Sequence, residues 1–435
     1  MKRYDSYKDS GVEWIGEIPK EWKTPRLKHS ITETFGGEVI DKSFWGEGPE
    51  TLYTTSKEIH QSDYPNFNDK RRTTEKDLLL SRNGDGIVHV PNEGSIYTNV
   101  VQLVRIKQEV DRRFLWYSLT FQIKPLNSYS DGDFIVSLNK EQWFNLLTPL
   151  PPLSEQQQIV SFLDTKTSLI DSLIEKTQRK IELLKEKRSS LINEVVTKGL
   201  NPNVKMKDSG VEWIGEIPSH WKYIPTKYFT EEINGVQTGP FGTQLNTKDY
   251  VESGVKVMNQ KTLIDENYDI GDEFISYDKF EELSGFDVQK GDIIMGTRGS
   301  FGRGKRTTFG KVSIVPEGLG DLVLHPCLIR IRLKEDSVQK RYYYYYINDS
   351  THFLEDIKTT SNSTTIEVIY GITLKDIRIP VPPLSEQHQI VEYLDEQTQI
   401  IDKTISIEEK RIELLKEYRQ SLISEVVTGK RKVVE

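Results

Sequence analysis

Cysteine is nearly absent. The 435 residues contain one, Cys327, so no disulfide can close within the chain, and a reducing, cytoplasmic setting is expected. His325-Pro326-Cys327 is too isolated for a zinc site, and Cys327 is expected to fill a small place in a core. Long apolar runs are missing too. No stretch approaches the roughly 18 apolar residues of a membrane span, and the opening MKRYDSYKDSG lacks the apolar segment of a secretory signal. Positive charge is not in excess: the net charge is -8, with 29% charged and 36% hydrophobic residues. Nucleic-acid-binding domains are usually basic, so the total argues mildly against that class. The average conceals a local exception. Between Ile293 and Pro316 stand Arg298, Arg303, Lys305, Arg306 and Lys311, with no acidic residue. Screening lets such a patch hold phosphates on an acidic body.

Signatures of catalysis are lacking as well. Gly299 to Lys305 fits the first part of a phosphate-binding loop, but Arg306 stands where magnesium coordination needs Ser or Thr. The Pro-Pro pairs at 151–152 and 382–383 are flanked by apolar residues, so neither supplies the Asn or Asp side chain that would hold a flipped adenine. The seven histidines are scattered. No catalytic centre, metal site or cofactor of its own is expected in this chain.

What the chain does have is repetition. Lys8–Pro19 reads KDSGVEWIGEIP, and Lys207–Pro218 reads the same without one change, at an offset of 199. PLPPLSEQQQIVSFLD from Pro149 is matched by PVPPLSEQHQIVEYLD from Pro380, and IELLKEKRSSLINEVVTKG from Ile181 by IELLKEYRQSLISEVVTGK from Ile412, now at an offset of 231. The intervening segment is therefore 32 residues longer in the second half. Nearly identical parts frame two dissimilar segments, 24–148 and 223–379, as one scaffold presenting two different heads.

Behind each Pro-Pro pair, Ser154 and Ser385 read as helix N-caps, with Gln157 completing a capping box in the first copy. An apolar stripe follows. It includes Ile170, Ile174, Ile181 and Leu184 in one copy and Ile401, Ile405, Ile412 and Leu415 in the other. Gly199 and Gly429 stand where the helices would end. Helices of about 44 residues, roughly 65 Å at 1.5 Å per residue, favour a coiled coil. Two equal helices in one chain are expected to pair antiparallel, with a pseudo-twofold axis and the C-terminus near the N-terminal segment. The framed segments read as small α/β (α+β) heads. Asp77–Ser81 and Asp292–Met295 read as strands, followed by Arg82-Asn83-Gly84 and by Arg298-Gly299. Aromatic helices, Arg113–Tyr117 and Arg341–Tyr346, are expected to pack on the sheets; the tyrosine run is read as packing rather than as a base-stacking surface. Glycine-arginine turns allow close approach to phosphate and bidentate contact with guanine.

The repeated GVEWIGEIP…W and PPLSEQ…IV…LD motifs, each pair leading to a long helix that ends in Glu-Val-Val-Thr, resemble the specificity subunits of Type I restriction–modification systems (HsdS). The resemblance covers the whole chain. It implies two target recognition domains, 1–152 and 201–383, each followed by a conserved helix, 153–200 and 384–435. It further implies a split double-stranded DNA target and two methyltransferase subunits that modify adenine at N6. Two motor/nuclease subunits would complete the complex. S-adenosylmethionine, ATP and Mg2+ would belong to those partners, and no membrane is involved. The candidate DNA contacts are Arg82, Asn83, Gln237, Thr238, Arg298, Arg303, Lys305, Arg306 and Asn362. Gly239–Gly242 and Ser361–Thr364 fall where such domains carry contact loops; Gly36-Gly37 and Asp131–Asp133 are only loose counterparts in the first head. The rival reading is a coiled-coil scaffold that never meets DNA, which the acidic total charge favours and the Gly-Arg turns oppose.

Overall fold

The computed structural model describes residues 3–433 apart from 83–85, 129–138, 266, 269–270, 272, 300, 303–304, 307–308, 335 and 361–366. The chain divides into two compact units, Met1–Gln178 with Glu408–Glu435, and Arg179–Ile407. The division falls within both long helices, Leu153–Lys198 and Leu384–Val427, because each helix half packs on a head.

In the first unit, the repeated motif forms a hairpin of Tyr7–Asp9 with Glu17–Pro19. The head then builds an antiparallel sheet in the order Ile31–Gly36, Val101–Ile106, Asp77–Ser81, Val88–His89. A second sheet runs His60–Ser62, Trp45–Tyr53, Ile96–Tyr97, its last pair parallel. The continuous apolar run Leu78-Leu79-Leu80 is buried on both faces, and period-two alternation sorts it. Leu78 and Leu80 meet Leu115 and Leu119 of the head helix Arg112–Ser128. Leu79 meets Tyr97 and Leu103 in the core between the sheets.

The second unit repeats this plan. Its hairpin is Met206–Asp208 with Glu216–Pro218. The four-stranded sheet runs Val236–Thr238, Leu328–Ile331, Ile293–Gly296, Val312–Ile314, the same order with respect to the sequence. Ile293 and Met295 join the core containing the tyrosine helix, and Ile294 joins the core beneath the second sheet. That second sheet has five strands. Phe274–Ile275, Val255–Met258 and Leu322–Leu324 correspond to the three of the first head, and Tyr250–Val251 and Asp287–Val288 are added edges. Much of the extra length of the second half is spent there. Tyr342, Tyr343, Tyr345 and Tyr346 are fully buried, so the tyrosine run packs, as expected; from Tyr345 to Asp349 the helix widens into a π turn.

Each head is fastened to a long helix by the same side chains. Asp164 accepts from Arg113 and from the Tyr117 hydroxyl at 2.6 and 2.7 Å; Asp395 accepts from Arg341 and Tyr345 at 3.0 and 2.6 Å. Gln156 accepts from the Asp111 amide and donates to the Pro151 carbonyl. Gln387 does the same with Gln339 and Pro382.

The helix starts differ from the sequence expectation. Ser154 and Ser385 lie inside the helices rather than at the caps. The Pro152 carbonyl accepts from the Glu155 and Gln156 amides and the Pro383 carbonyl from Glu386 and Gln387, so the helices start on the prolines and one first-turn amide in each is satisfied there. The first-turn carboxylate at each start is used by tryptophan: Glu155 accepts from Trp22 Nε1 and Glu386 from Trp221 Nε1.

Within the first unit, Ile159, Leu163 and Ile170 pack with Leu422, Ile423 and Val426, and Arg419 pairs with Asp171 at 2.9 Å. Within the second, Ile192, Val195 and Val196 share a core with Ile390, Val391 and Leu394, and Arg188 pairs with Asp402 at 3.0 Å. Of the expected stripe, Ile170, Ile181, Ile401, Ile405 and Ile412 are buried, whereas Ile174, Leu184 and Leu415 are half-buried. The helix ends meet the repeated motif. Gly429, in the left-handed region at φ 71°, lies against Pro19 and Trp22. Gly199, at φ 74°, lies against Trp221. Gly429→Ala is expected to cost about 1–3 kcal/mol, since the backbone is strained for any L side chain and a Cβ would overlap the Pro19 ring. Denaturant unfolding of the two alanine variants measures it; Gly199→Ala should cost less, because its Cβ meets only the Trp221 ring at 3.0 Å.

Candidate nucleic-acid interface

The antiparallel register decides which loops share an end of the sheet. In the second head, Thr238 pairs with Ile329 and Gly296 with Leu328. The exits of two strands and the entry of a third therefore lie together, and they bring Gln237, Thr238 and Arg298 to one sheet end. Arg298 is exposed and pairs in register with Val368; its carbonyl accepts from Gln260 Nε2 at 3.1 Å. Thr297 donates through its hydroxyl to the Cys327 carbonyl at 2.8 Å. Gln237 Nε2 donates to the Thr238 carbonyl at 2.9 Å, and both residues are half-buried. Lys305 and Arg306 belong to a short hairpin with Phe301 and Gly302. Arg303 and Asn362 lie outside the described residues.

His325 and Cys327 sit at this same end, a feature the sequence reading missed. Cys327 is half-buried rather than deep in a core. Its amide donates to His325 Nδ1 at 3.1 Å. Burial lowers the His325 pKa below the ordinary histidine range; nearby Glu273 opposes this and Arg298 adds to it. Because Nδ1 accepts from the Cys327 amide, the ring proton of the neutral imidazole falls on Nε2. The signal was the position of His325 just before a strand, which is visible only once that strand is paired with the one leading to Arg298.

In the first head, Gly36 pairs with Gln102 and Ser81 with Val101, so Arg82 leaves its strand at the corresponding end. Its amide donates to the Val100 carbonyl and its guanidinium to the Asn99 carbonyl at 3.4 Å. Asn83 lies outside the described residues, as do 131–133. The opposite ends of the two sheets also match. Arg105 forks onto buried Asp77 at 3.0 and 3.2 Å, and Arg332 onto buried Asp292 at 2.8 and 3.0 Å. These pairs are alike in both heads, whereas the end bearing Arg82 or Arg298 differs in nearly every side chain. Constancy at one end marks framework, and the variation is concentrated at the other.

Among the described residues, no group of three or more His, Cys, Asp or Glu side chains is placed to hold a metal ion. None of the described helices is long and apolar enough to cross a membrane.

Two copies of one head, differing at the loop end and each locked to a long helix, define a duplicated recognition protein. The model of the Type I restriction–modification DNA specificity domain matches residues 19–183 and 238–417, most of the chain, and the chain belongs to that family. The MjaVIII specificity subunit of Methanocaldococcus jannaschii, a Type I restriction enzyme component, is 25% identical over 428 residues, covering 96% of this chain and 94% of its own. The putative MjaX specificity subunit of the same organism is 26% identical over 454 residues, at 96% of each. Among solved structures, one from work on complex assembly and conformational transition of a Type I system shares the fold with a TM-score of 0.70 at 15% identity. It covers 94% of this chain and 98% of its own. The HsdS subunit of Thermoanaerobacter tengcongensis gives 0.53 at 16% identity, covering 95% and 98%. The rival reading of a scaffold that never meets DNA finds no support among these relatives.

Proposed function

We propose that this chain is the sequence-reading subunit of a Type I restriction–modification complex and that each head reads one half of a bipartite double-stranded DNA target. The observation that carries this is the paired heads: the same strand order and the same lock to a long helix occur twice, while the loop ends differ. Arg82 would serve the first half-site, and Gln237, Thr238, Arg298, Lys305 and Arg306 the second, with Asn83 and Arg303 beside them in sequence and Asn362 a further candidate for the second. The two long helices form an antiparallel coiled coil with pseudo-twofold symmetry and act as the spacer. Support comes from the ion pairs. From Asp171 to Arg188 on one helix, the partner moves from Arg419 to Asp402 on the other, the same step in the opposite sense. Half-site centres would lie roughly 34–36 Å apart, one turn of DNA. Two methyltransferase and two motor/nuclease subunits would assemble on this frame in the cytoplasm and bring S-adenosylmethionine, ATP and Mg2+; the chain itself supplies recognition and no chemistry.

Arg298→Ala is expected to weaken recognition of the second half-site by about 1–3 kcal/mol if its guanidinium reads a base edge. Binding titrations on duplexes altered in one half-site at a time check this. A loss confined to the native second half-site supports base reading. Equal weakening on all sequences makes Arg298 a phosphate contact, and no change on any duplex removes it from the interface.

A further inference from the structure

We propose that Phe241 and Tyr370 form an aromatic wedge that the second head presses into the base stack of its half-site, a step the first head does not perform. The inference rests on the DNA-reading role proposed above. Large apolar side chains are normally withdrawn from water, yet Phe241 is 51% exposed, Tyr370 59% and Ile372 74%. All three are set at the same sheet end, and their backbones are fixed there. The Gly239 amide donates to the Leu328 carbonyl at 2.9 Å, and its Cα lies so close to the His325 carbonyl that no Cβ would fit. The turn that follows is closed by the Phe241 amide donating to Gln244 Oε1 at 3.1 Å. Tyr370 stands between two anchored residues. The amide of buried Ile369 donates to the Thr297 carbonyl at 2.9 Å, and a Cβ on Gly371 would come 2.8 Å from Thr238 Oγ1. Arg298, in register with Val368, flanks the pair.

An exposed aromatic pair beside arginine suits duplex DNA. The acid-free basic segment from Ile293 to Pro316 matches the phosphate charge, and apolar wedges unstack and kink base steps. The first head is built differently at this point. Asn139 and Glu141 occupy the places of Tyr370 and Ile372 at the 231 offset, and Asn139 is engaged in a capping box with Gln142. Neither of these two positions carries an aromatic side chain.

The test uses the full chain with its methyltransferase subunits, on duplexes carrying 2-aminopurine at successive positions of both half-sites. The methylated adenines are left out, because their flipping belongs to the methyltransferase. The expected result is a rise in emission at one step of the second half-site and none in the first. Phe241→Ala or Tyr370→Ala should abolish the rise and weaken binding to the second half-site roughly 5- to 150-fold, the range of one lost base–aromatic stack. Phe241→Trp should keep both. Flat emission across the second half-site of the wild-type complex, or a rise unchanged in both alanine variants, overturns the wedge while recognition itself stands. Loss of methyltransferase association in either variant would assign the aromatics to a protein contact and overturn it equally. Failure of the wild-type complex to bind its own methylation motif would overturn the reading on which the wedge rests.

Discussion

Replacing residues 24–148 by the chain's own 223–379 is expected to give a subunit whose two half-sites are inverted copies of the present second one. The cut points favour this exchange. Lys23 and Leu150 face each other as an isolated antiparallel bridge, each donating its amide to the other's carbonyl at 3.0 and 2.7 Å. The segment therefore enters and leaves the frame at one place. Its attachments to the frame include the Arg113 and Tyr117 contacts with Asp164 and the Asp111 amide on Gln156, and the incoming head carries Arg341, Tyr345 and the Gln339 amide for the same positions. Each mismatched base pair costs about 1–3 kcal/mol, roughly additively, so the original first half-site should lose orders of magnitude in affinity while the second is untouched. Methylation motifs of the exchanged subunit decide it. A change in both halves, or in neither, would contradict separable heads.

The second large effect concerns stability. Asp287→Ala is expected to destabilise the second unit by about 1–3 kcal/mol, because half-buried Asp287 is a carboxylate partner of a fully buried arginine, a sizeable share of a typical domain's 5–15 kcal/mol. Arg330 lies in the middle of the four-stranded sheet and is fully buried. Its guanidinium donates to the Asp287 backbone and carboxylate and to the Asn234 carbonyl. Burial lowers its pKa, and the neighbouring Arg332 adds to this, while Asp292 and Asp287 oppose it. Burial would raise the Asp287 carboxyl, but Arg332 and Arg330 hold it below the usual carboxylate range. A depressed folded pKa means this stabilisation is complete above about pH 4 and is lost as acid protonates the group. Arg330→Leu should be nearly neutral or stabilising, because it removes the buried charge along with its need for a partner. The first head shows that the site accepts an apolar residue: Leu103 stands two before Arg105, as Arg330 stands two before Arg332. Denaturant unfolding of the two single variants and the double variant measures the coupling. If Asp287→Ala costs no more in the wild-type background than beside Arg330→Leu, the ion pair is not what holds this unit.

The repeated frame was legible because its signals are local. Identical motifs, proline pairs and a heptad-like stripe need no tertiary information, and the long helices fall within a residue or two of where the stripe and the terminal glycines put them. The apolar runs at Leu78–Leu80 and Ile293–Met295 gave strands for the same reason. The helix starts were misread because a serine at the right spacing is a common cap, whereas helices that begin directly after Pro152 and Pro383 put that serine in the first turn. The loop end was only partly legible. Arg298 with Gln237 and Thr238 is a constellation made by strand pairing between segments some sixty residues apart, and sequence spacing does not encode that register. His325, Phe241 and Tyr370 were invisible as a group for the same reason. The buried Arg330 and its partner Asp287 were hidden because charge in a strand reads as a solvent face until a second sheet is found covering it.

Single-molecule methylome sequencing of cells expressing the neighbouring methyltransferase subunit, with and without this chain, tests the central claim most directly. The account predicts a split N6-methyladenine motif, two specified blocks around an unspecified spacer, that appears only when the chain is present. Absence of any such motif, with both subunits soluble and associated, or an uninterrupted motif in its place, would contradict it.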